Sequence, residues 1–252
     1  MQKHNTMPRI SLVICAHNEE KYIGACLEYA IKSEKWGQAK YKRDGFTEIL
    51  VIDNASTDRT REIAESYPNV RVVHEAKKGL TRARQCGYLN AKGDVLAFID
   101  ADTQMPEWWY NAVYEEFSKD PTLGCLSGPY VYYDMAEWKK ILVKLYYYTL
   151  AYPAYLMIGY MATGGNFAIK RNVLKKMGGF DVNIEFYGED TNIARRASKY
   201  AQVKFKNELF MYTSARRLAG QNMFKTSSLY IFNFLSEVVF HRPVTKRYQD
   251  LR

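Results

Sequence analysis

The chain has 252 residues, 47% of them hydrophobic and 25% charged, which fits one α/β domain, alone or with a small appendage, and leaves no room for several full-sized domains. Its 36 basic and 27 acidic residues give a net charge of +9, and that sign alone does not choose between nucleic acid, anionic lipid and a phosphorylated substrate. Cys15, Cys26, Cys86 and Cys125 have no C-x-x-C spacing, so buried free thiols are expected rather than a disulfide framework or a cysteine metal site.

The N-terminus, MQKHNTMPRI, contains no apolar core of signal-peptide length, and a cytoplasmic protein is expected. Ile10 to Cys15 reads as a short apolar strand that runs into Ala16-His17-Asn18-Glu19-Glu20. A helix follows with Tyr22, Ile23, Cys26, Leu27, Ala30 and Ile31 on one face. The charged, Gly-containing stretch from Lys32 to Gly45 reads as a solvated connection. A second strand, Glu48 to Ile52, ends at Asp53-Asn54-Ala55-Ser56-Thr57-Asp58, where Ser56 or Thr57 would cap the next helix. Val70 to Val73 reads as a third strand, and Gly79 opens another helix.

Val95 to Ile99 is an apolar run suited to a buried strand, and it ends in Asp100-Ala101-Asp102. Two carboxylates there should repel each other and resist desolvation. Two residues apart on an extended chain, they should point the same way. That arrangement suits a divalent cation, which prefers hard oxygen ligands. A helix cap by Asp102 or Thr103 ahead of a helix at Pro106 explains the residues equally well. Alternation of strands and helices predicts right-handed βαβ units and a mainly parallel sheet with flanking helices. Ligands of such sheets bind at the carboxyl ends of the strands, where the polar clusters at 16–20, 53–58 and 100–102 all fall.

Further on, Leu123 to Tyr133 reads as a strand interrupted by Gly128-Pro129. Trp138, Ile141, Leu142, Leu145 and Tyr148 form a helical stripe, with Lys139, Lys140 and Lys144 largely off it. From Leu145 through Ile169 no residue is charged, but the run holds six tyrosines, Pro153 and three glycines. An ordinary core helix followed by acceptor-side loops is expected over a membrane span; an interfacial helix is the second reading, since lysines precede an aromatic-rich stretch. Thr163-Gly164-Gly165-Asn166 reads as a turn in which the glycines permit positive φ and close approach of a ligand. Gly188 precedes a helix with Ile193, Ala194 and Ala197 on its apolar side. Asp190 shares that side, at a helix N-terminus whose dipole favours an ionised carboxylate, and suits a general base. Glu189 is rotated roughly 100° away and shares a face with Arg196. Val203 to Phe205 and Leu209 to Tyr212 read as late strands. Arg216 and Arg217 would clamp a phosphate if one lay near. Ser227 to Phe240 reads as an apolar helix that packs on the core or meets a membrane, and a basic tail follows it.

With these residues in place, the chain resembles the family 2 glycosyltransferases of the GT-A fold. The similar segments are SLVICAHNEEKYI, ILVIDNASTDRT, GLTRARQCGYLNAKGDVLAFIDADTQMPEWW and TGGNFAIKRNVLKKMGGFDVNIEFYGEDTNIARRASKYA. The resemblance implies a GT-A domain over residues 8–212, with a Rossmann-like sheet, and a C-terminal basic, helical extension over 213–252 that completes or covers the site. It implies an inverting, metal-dependent transfer of a sugar from a nucleotide-diphosphate sugar to a hydroxyl acceptor, in bacterial-type cell-surface glycan or glycolipid synthesis. Ala16, His17, Glu19, Asp53, Asn54 and Arg84 would line the nucleotide-sugar pocket, with Asp100, Ala101 and Asp102. His17 stands where the family often has Tyr, and Asn54 where an Asp commonly contacts the base. Asp100 would contact ribose or metal, Asp102 would bind Mg²⁺ or Mn²⁺ at the diphosphate, and Asp190 would be the catalytic base. Gly164, Gly165, Asn166, Glu189, Arg216 and Arg217 are acceptor- or diphosphate-side candidates, and that Arg216 and Arg217 close over the diphosphate is a reading of their position and not of the resemblance.

A sugar-1-phosphate nucleotidyltransferase would need a Gly-rich loop after the first strand, where CAHNEEKYIG stands. A non-catalytic nucleotide-sugar or glycan-binding module would be expected to lack the metal carboxylates or the base. The basic residues form no dense block, so nucleic acid is not expected as a partner. A glycan or lipid-linked acceptor is expected, with peripheral contact at the inner face of the plasma membrane.

Overall fold

The computed structural model describes residues 7–184 and 188–219, then residues 232–234, 236–238, 240 and 245. Strands and helices alternate first: β1 (Ile10–Ala16), α1 (Ile23–Tyr41), β2 (Glu48–Asn54), α2 (Thr60–Glu65), β3 (Val70–Glu75), α3 (Leu80–Asn90) and β4 (Val95–Asp100). Then come β5 (Thr103–Gln104), α4 (Trp109–Lys119), β6 (Leu123–Ser127), β7 (Tyr130–Tyr132) and α5 (Glu137–Tyr146). A π-helical turn (Tyr147–Ala151) joins α5 to α6 (Tyr152–Ile158). The chain continues through β8 (Asn166–Lys170), α7 (Arg171–Met177), α8 (Glu189–Ser198), β9 (Gln202–Phe205), β10 (Met211–Thr213) and α9 (Arg216–Ala219).

The large sheet has the order β3-β2-β1-β4-β8-β6-β9. Its pairs are parallel except for β8, which runs antiparallel to both β4 and β6. Side chains of β1 alternate between two cores, as a pleated strand requires. Ile10, Leu12 and Ile14 pack with residues of α1 and α4, while Val13 and Cys15 pack with residues of α3, α7 and α8. A strand buried on both faces is nearly continuously apolar, and β1, β2 and β4 are so up to their carboxyl ends except at Ser11 and Glu48, which bond each other at 2.8 Å across the starts of β1 and β2. This is the mainly parallel GT-A-type sheet with flanking helices. The four cysteines are free and buried.

A second sheet, β5-β10-β7, sits beyond the end of β4. The break at Gly128-Pro129 is where the chain leaves β6 in the large sheet for β7 in the small one. Residues 103–104 pair with β10 through Thr103–Thr213 and Gln104–Tyr212. That pairing brings the start of the C-terminal segment to the Asp100–Asp102 corner.

Four local expectations are corrected. Lys32 to Gly45 is largely helix, because α1 continues to Tyr41. Ser33 is buried there, donating to Glu107 O at 3.0 Å and accepting from Tyr110 N at 3.1 Å. Small polar residues make this helix contact, so no apolar period marks it. The helix α2 starts at Thr60, with no cap from Ser56 or Thr57. Residue Thr103 lies in a strand and α4 starts at Trp109, so neither Asp102 nor Thr103 caps a helix at Pro106. Finally, the stripe Trp138, Ile141, Leu142, Leu145 and Tyr148 is exposed, and α5 contains no buried residue. Among the described residues no helix is long and apolar enough to cross a membrane. In the expected 227–240 helix, residues 232–234, 236–238 and 240 are helical, with Asn233, Ser236 and Glu237 buried. The rest of that stretch, and the tail apart from residue 245, lie outside the described residues.

Candidate active site

At the carboxyl ends of β1 and β2, two loops hold each other. Asn18 N donates to Ser56 Oγ at 3.1 Å, and Thr57 N donates to Asn18 Oδ1 at 2.8 Å. Glu19 N donates to Thr60 Oγ1 at 2.7 Å and Glu20 N to Asp58 Oδ2 at 3.0 Å. Asn18 and Ala55 are left-handed at φ 53° and 55°, a geometry non-glycine residues adopt only when their surroundings enforce it. Ala16 ends β1 opposite Asp53 of β2. The Nδ1 of His17 lies 2.7 Å from Asn54 O, which orients the imidazole beside the strand ends.

Asn54 has a structural task that the sequence did not show. Its amide donates to Glu75 O and Lys77 O at 3.2 and 2.8 Å and accepts from Gly79 N at 2.8 Å. It therefore ties β2 to the loop that opens α3. Asp53 is likewise engaged, with Ser56 N at 3.2 Å and His74 Nδ1 at 2.8 Å.

The strand β4 ends at Asp100, and Ala101 and Asp102 form a turn. The period-two argument thus stops at Asp100, and the two carboxylates have different partners. Asp100 accepts from Tyr130 Oη at 3.2 Å and lies 3.9 Å from the guanidinium of Arg84. Asp102, only 5% exposed, accepts from Thr213 Oγ1 at 3.4 Å and Arg216 Nε at 3.0 Å. The other arm of Arg216 reaches both oxygens of Glu19, at 2.5 and 2.6 Å. Two buried carboxylates, one from the end of β1 and one from the end of β4, thus share one cation that arrives 114 residues later in the chain. Burial opposes the charge on Arg216, but Glu19 and Asp102 hold its pKa above the ordinary value. Asp134 anchors the approach by accepting from Ser214 Oγ at 2.5 Å and Ala215 N at 2.6 Å. Arg216 also lies over the Tyr22 ring, 4.5 Å from its centroid. Its neighbour Arg217 is on the same short helix, half-buried.

A second buried cluster lies beside the first. Arg84, fully buried in α3, bonds Glu189 and donates to Gly164 O at 2.6 Å. Glu189 does not face outward with Arg196; it is 7% exposed. Burial pushes its carboxyl up to about 8, against the pull of Arg84. Helical spacing gave the angle between Glu189 and Asp190 but not which of them the long Arg84 side chain would claim. Neither Gly164 nor Gly165 has positive φ. Their lack of a side chain serves crowding instead. A Cβ at Gly165 would lie 2.2 Å from Tyr130 Oη and 2.4 Å from Asp100 Cγ, and one at Gly164 would lie 2.5 Å from Glu189 Oε1. Asn166 is fully buried, accepting from Trp109 Nε1 at 3.0 Å and donating to Leu209 O at 2.7 Å and Pro129 O at 3.2 Å. It is a joint between β8, α4 and the small sheet.

Asp190 opens α8, after Gly188 in a left-handed conformation with φ 80°. It is more exposed than Glu189. Its Oδ1 accepts from Thr191 N at 2.7 Å. Burial raises its pKa above the usual carboxylate value, only partly offset by the Thr191 amide. Tyr147 feels the same carboxylate: burial raises its phenol, and the charge of Asp190 adds to the rise. Tyr130, Asp134, Thr213 and Tyr147 are the site residues that sequence reading missed. The only signal for them was the tyrosine-rich stretch itself.

Among the described residues no three His, Cys, Asp or Glu side chains are grouped to hold a metal by themselves. Asp102 nevertheless fits a hard divalent ion. Its oxygens are nearly out of water and already balanced by a guanidinium, and Mg²⁺ commonly takes one or two carboxylates and completes its shell with substrate phosphates and water.

Sheet order, strand-end carboxylates and the acidic start of α8 together define the GT-A class of fold. The family model for glycosyl transferase family 2 matches residues 11–178, more than half of the chain, and the chain belongs to that family. It is 34% identical over 110 residues to the glycosyltransferase AglE of Haloferax volcanii, covering 42% of this chain and 34% of that protein. The chain thus spans about a third of that relative's length. Among solved structures, it is similar to the mannosyltransferase PcManGT of Pyrobaculum calidifontis in complex with GDP-Man and Mn²⁺. That match has a TM-score of 0.65 and 22% identity, covering 93% of this chain and 64% of the other. It is also similar to the glucosyl-3-phosphoglycerate synthase of Mycobacterium tuberculosis with Mn²⁺, UDP and phosphoglyceric acid, with a TM-score of 0.64 and 19% identity, covering 92% and 79%.

Proposed function

We propose that this chain is an inverting, metal-dependent glycosyltransferase that moves a sugar from a nucleotide-diphosphate donor to a hydroxyl acceptor. The observation that carries the reading is the Glu19–Arg216–Asp102 cluster at the strand ends, next to a buried acidic helix start. The solved neighbours bind GDP-mannose or UDP together with Mn²⁺, which supports the same donor class here. Asp102, with Asp100 on the same turn, would hold Mg²⁺ or Mn²⁺, which when bound supplies positive charge to the departing diphosphate.

The rest follows from the chain's own groups. Ala16, His17, Glu19 and Asp53 line the nucleotide end, with the imidazole of His17 offering a face to the base. Arg216 lies where a diphosphate would arrive, so it exchanges carboxylate partners for phosphate oxygens, with Arg217 beside it. Asp190 accepts the proton of the acceptor hydroxyl. That oxygen attacks the anomeric carbon from the face opposite the diphosphate. The new C–O bond forms as the bond to phosphate breaks, and the electron pair leaves on the diphosphate. One displacement inverts the centre. The raised pKa of Asp190 makes it a stronger base than an exposed aspartate. Arg84 and Glu189 fix the start of α8, which positions Asp190. Residues 213–252 act as the extension that completes the site, and Arg216 is its contribution. The acceptor is a glycan or a lipid-linked hydroxyl compound of cell-surface glycan synthesis, reached from the cytoplasmic side.

A thermal-shift series with UDP-, GDP-, dTDP- and CMP-sugars, with and without Mn²⁺, tests the donor site. One nucleotide should raise the melting temperature, and more so with metal. No shift with any of them in folded protein would favour a non-catalytic module.

A further inference from the structure

Between the small sheet and β8, the chain carries an apolar face that the fold does not use. Trp138, Ile141, Leu142 and Leu145 share one side of α5 by their three- and four-residue spacing. Ile141 is 65% exposed and Leu145 54%. Past the π-helical turn, Leu156 and Met157 of α6 are 64% and 87% exposed. Neither helix has a buried residue. A soluble surface seldom leaves this many large apolar side chains in water without a partner.

The charges around the face say what kind of partner it fits. By helical spacing Lys139 and Lys144 flank it on either side, each roughly 110° around α5 from the centre of the stripe, while Lys140 lies on the far side. Lys139 Nζ is 5.4 Å from the Trp138 ring centroid, and Lys144 Nζ is 6.0 Å from that of Tyr148. Their stems therefore lie along aromatic surface with the ammonium groups at the margin. Lys140 pairs with Glu137 at 2.7 Å, the one acidic side chain in the helix. A second copy of the chain would bring the same lysine-rich rim against this one. An anionic lipid surface instead satisfies both features, since acyl chains take the apolar stripe and headgroups take the ammonium groups. Neither helix is long enough to span a bilayer.

We propose that the face formed by α5, the π-helical turn and α6 docks flat on an anionic lipid bilayer. Docking there presents the acceptor side of the site to the membrane, a consequence that rests on the transferase reading. Tyr147 opens the π-helical turn at the end of α5, near enough to Asp190 for its phenol to feel that carboxylate. A hydroxyl compound held at the headgroup level would therefore enter beside the base.

The test uses the full chain and vesicles of phosphatidylcholine, with and without phosphatidylglycerol. The protein should float with the anionic vesicles, and brominated acyl chains should quench its fluorescence through Trp138, an effect absent in Trp138→Phe. Replacing Lys139 and Lys144 together by Gln should weaken partition about 25-fold, at about fivefold per lysine near the surface. Ile141→Glu with Leu145→Glu should abolish it. All four positions are off the core, so each variant should melt with wild type and keep its metal-dependent nucleotide shift. If the wild type stays with the soluble fraction while that shift is intact, the docking proposal is overturned and the transferase reading stands. If it floats but binds no nucleotide, docking stands and the transferase reading falls. A concentration-dependent dimer that Ile141→Glu disperses, without flotation, would assign the face to a second copy and overturn the proposal.

Discussion

The proposed donor side and the proposed acceptor side of this molecule are built on opposite principles. At the ends of β1, β2 and β4, polar side chains are answered by one another: Asn18 by Ser56 and Thr57, Asn54 by residues 75–79, Glu19 and Asp102 by Arg216. On the other side, α5 presents Trp138, Ile141, Leu142 and Leu145 to water, each about half exposed or more. Buried polar groups lose free energy unless each is paired, so a prebuilt donor pocket must be internally closed before ligand arrives. An apolar face left open is complete only with something outside the chain. On the proposed reading, the donor half is set by the fold and the acceptor half by what the fold meets.

The sharpest way to break this contrast is at Asp190, which stands between the two halves. Asp190→Asn should lower kcat by about 10²–10⁴ with little change in melting temperature. The proposed base acts when deprotonated, so the wild-type rate should rise with pH through a pKa raised above the usual carboxylate range. An acid limb at the ordinary aspartate value would mean that the α8 pocket is wetter than the structure shows. Next in size is the buried pair that holds the start of α8. Glu189→Ala leaves the buried guanidinium of Arg84 with Asp100 at 3.9 Å as its nearest carboxylate, and should cost about 3–5 kcal/mol in urea unfolding. Arg216→Ala should weaken nucleotide-diphosphate binding by roughly 1.5–3 kcal/mol, the worth of a charged hydrogen bond, in a calorimetric titration. Smallest is the surface of the open half. Lys139→Gln or Lys144→Gln alone should stay within about 0.5 kcal/mol of wild-type stability, since their contacts are at the protein surface.

What could be read from the sequence follows the same division. The β-α alternation, the strand-end clusters and the Glu-Asp helix start were all legible, because each is written in a local period or a short spacing. The Arg216–Asp102 bond was not, since it joins positions 114 residues apart through a three-stranded sheet whose strands are only two or three residues long. Asn54 read as a base contact because the resemblance supplies a role for the position, whereas its three main-chain partners lie in a loop with no pattern of its own. Helical spacing found the stripe on α5 but not its exposure. Periodicity shows that residues share a face, and only the neighbouring elements decide whether that face is covered. The same gap explains Glu189, whose burial depends on Arg84 from another helix.

The central claim is that Asp102 and its Arg216 partner form a donor-diphosphate site that works with a divalent cation. Calorimetric titration of UDP and GDP into wild type and Asp102→Asn, each with and without Mn²⁺, tests it most directly. The account predicts that Mn²⁺ tightens one of these nucleotides at least tenfold in the wild type, and that Asp102→Asn removes the tightening while the protein remains folded. Equal tightening in both proteins, or nucleotide binding indifferent to Mn²⁺ in the wild type, would contradict it.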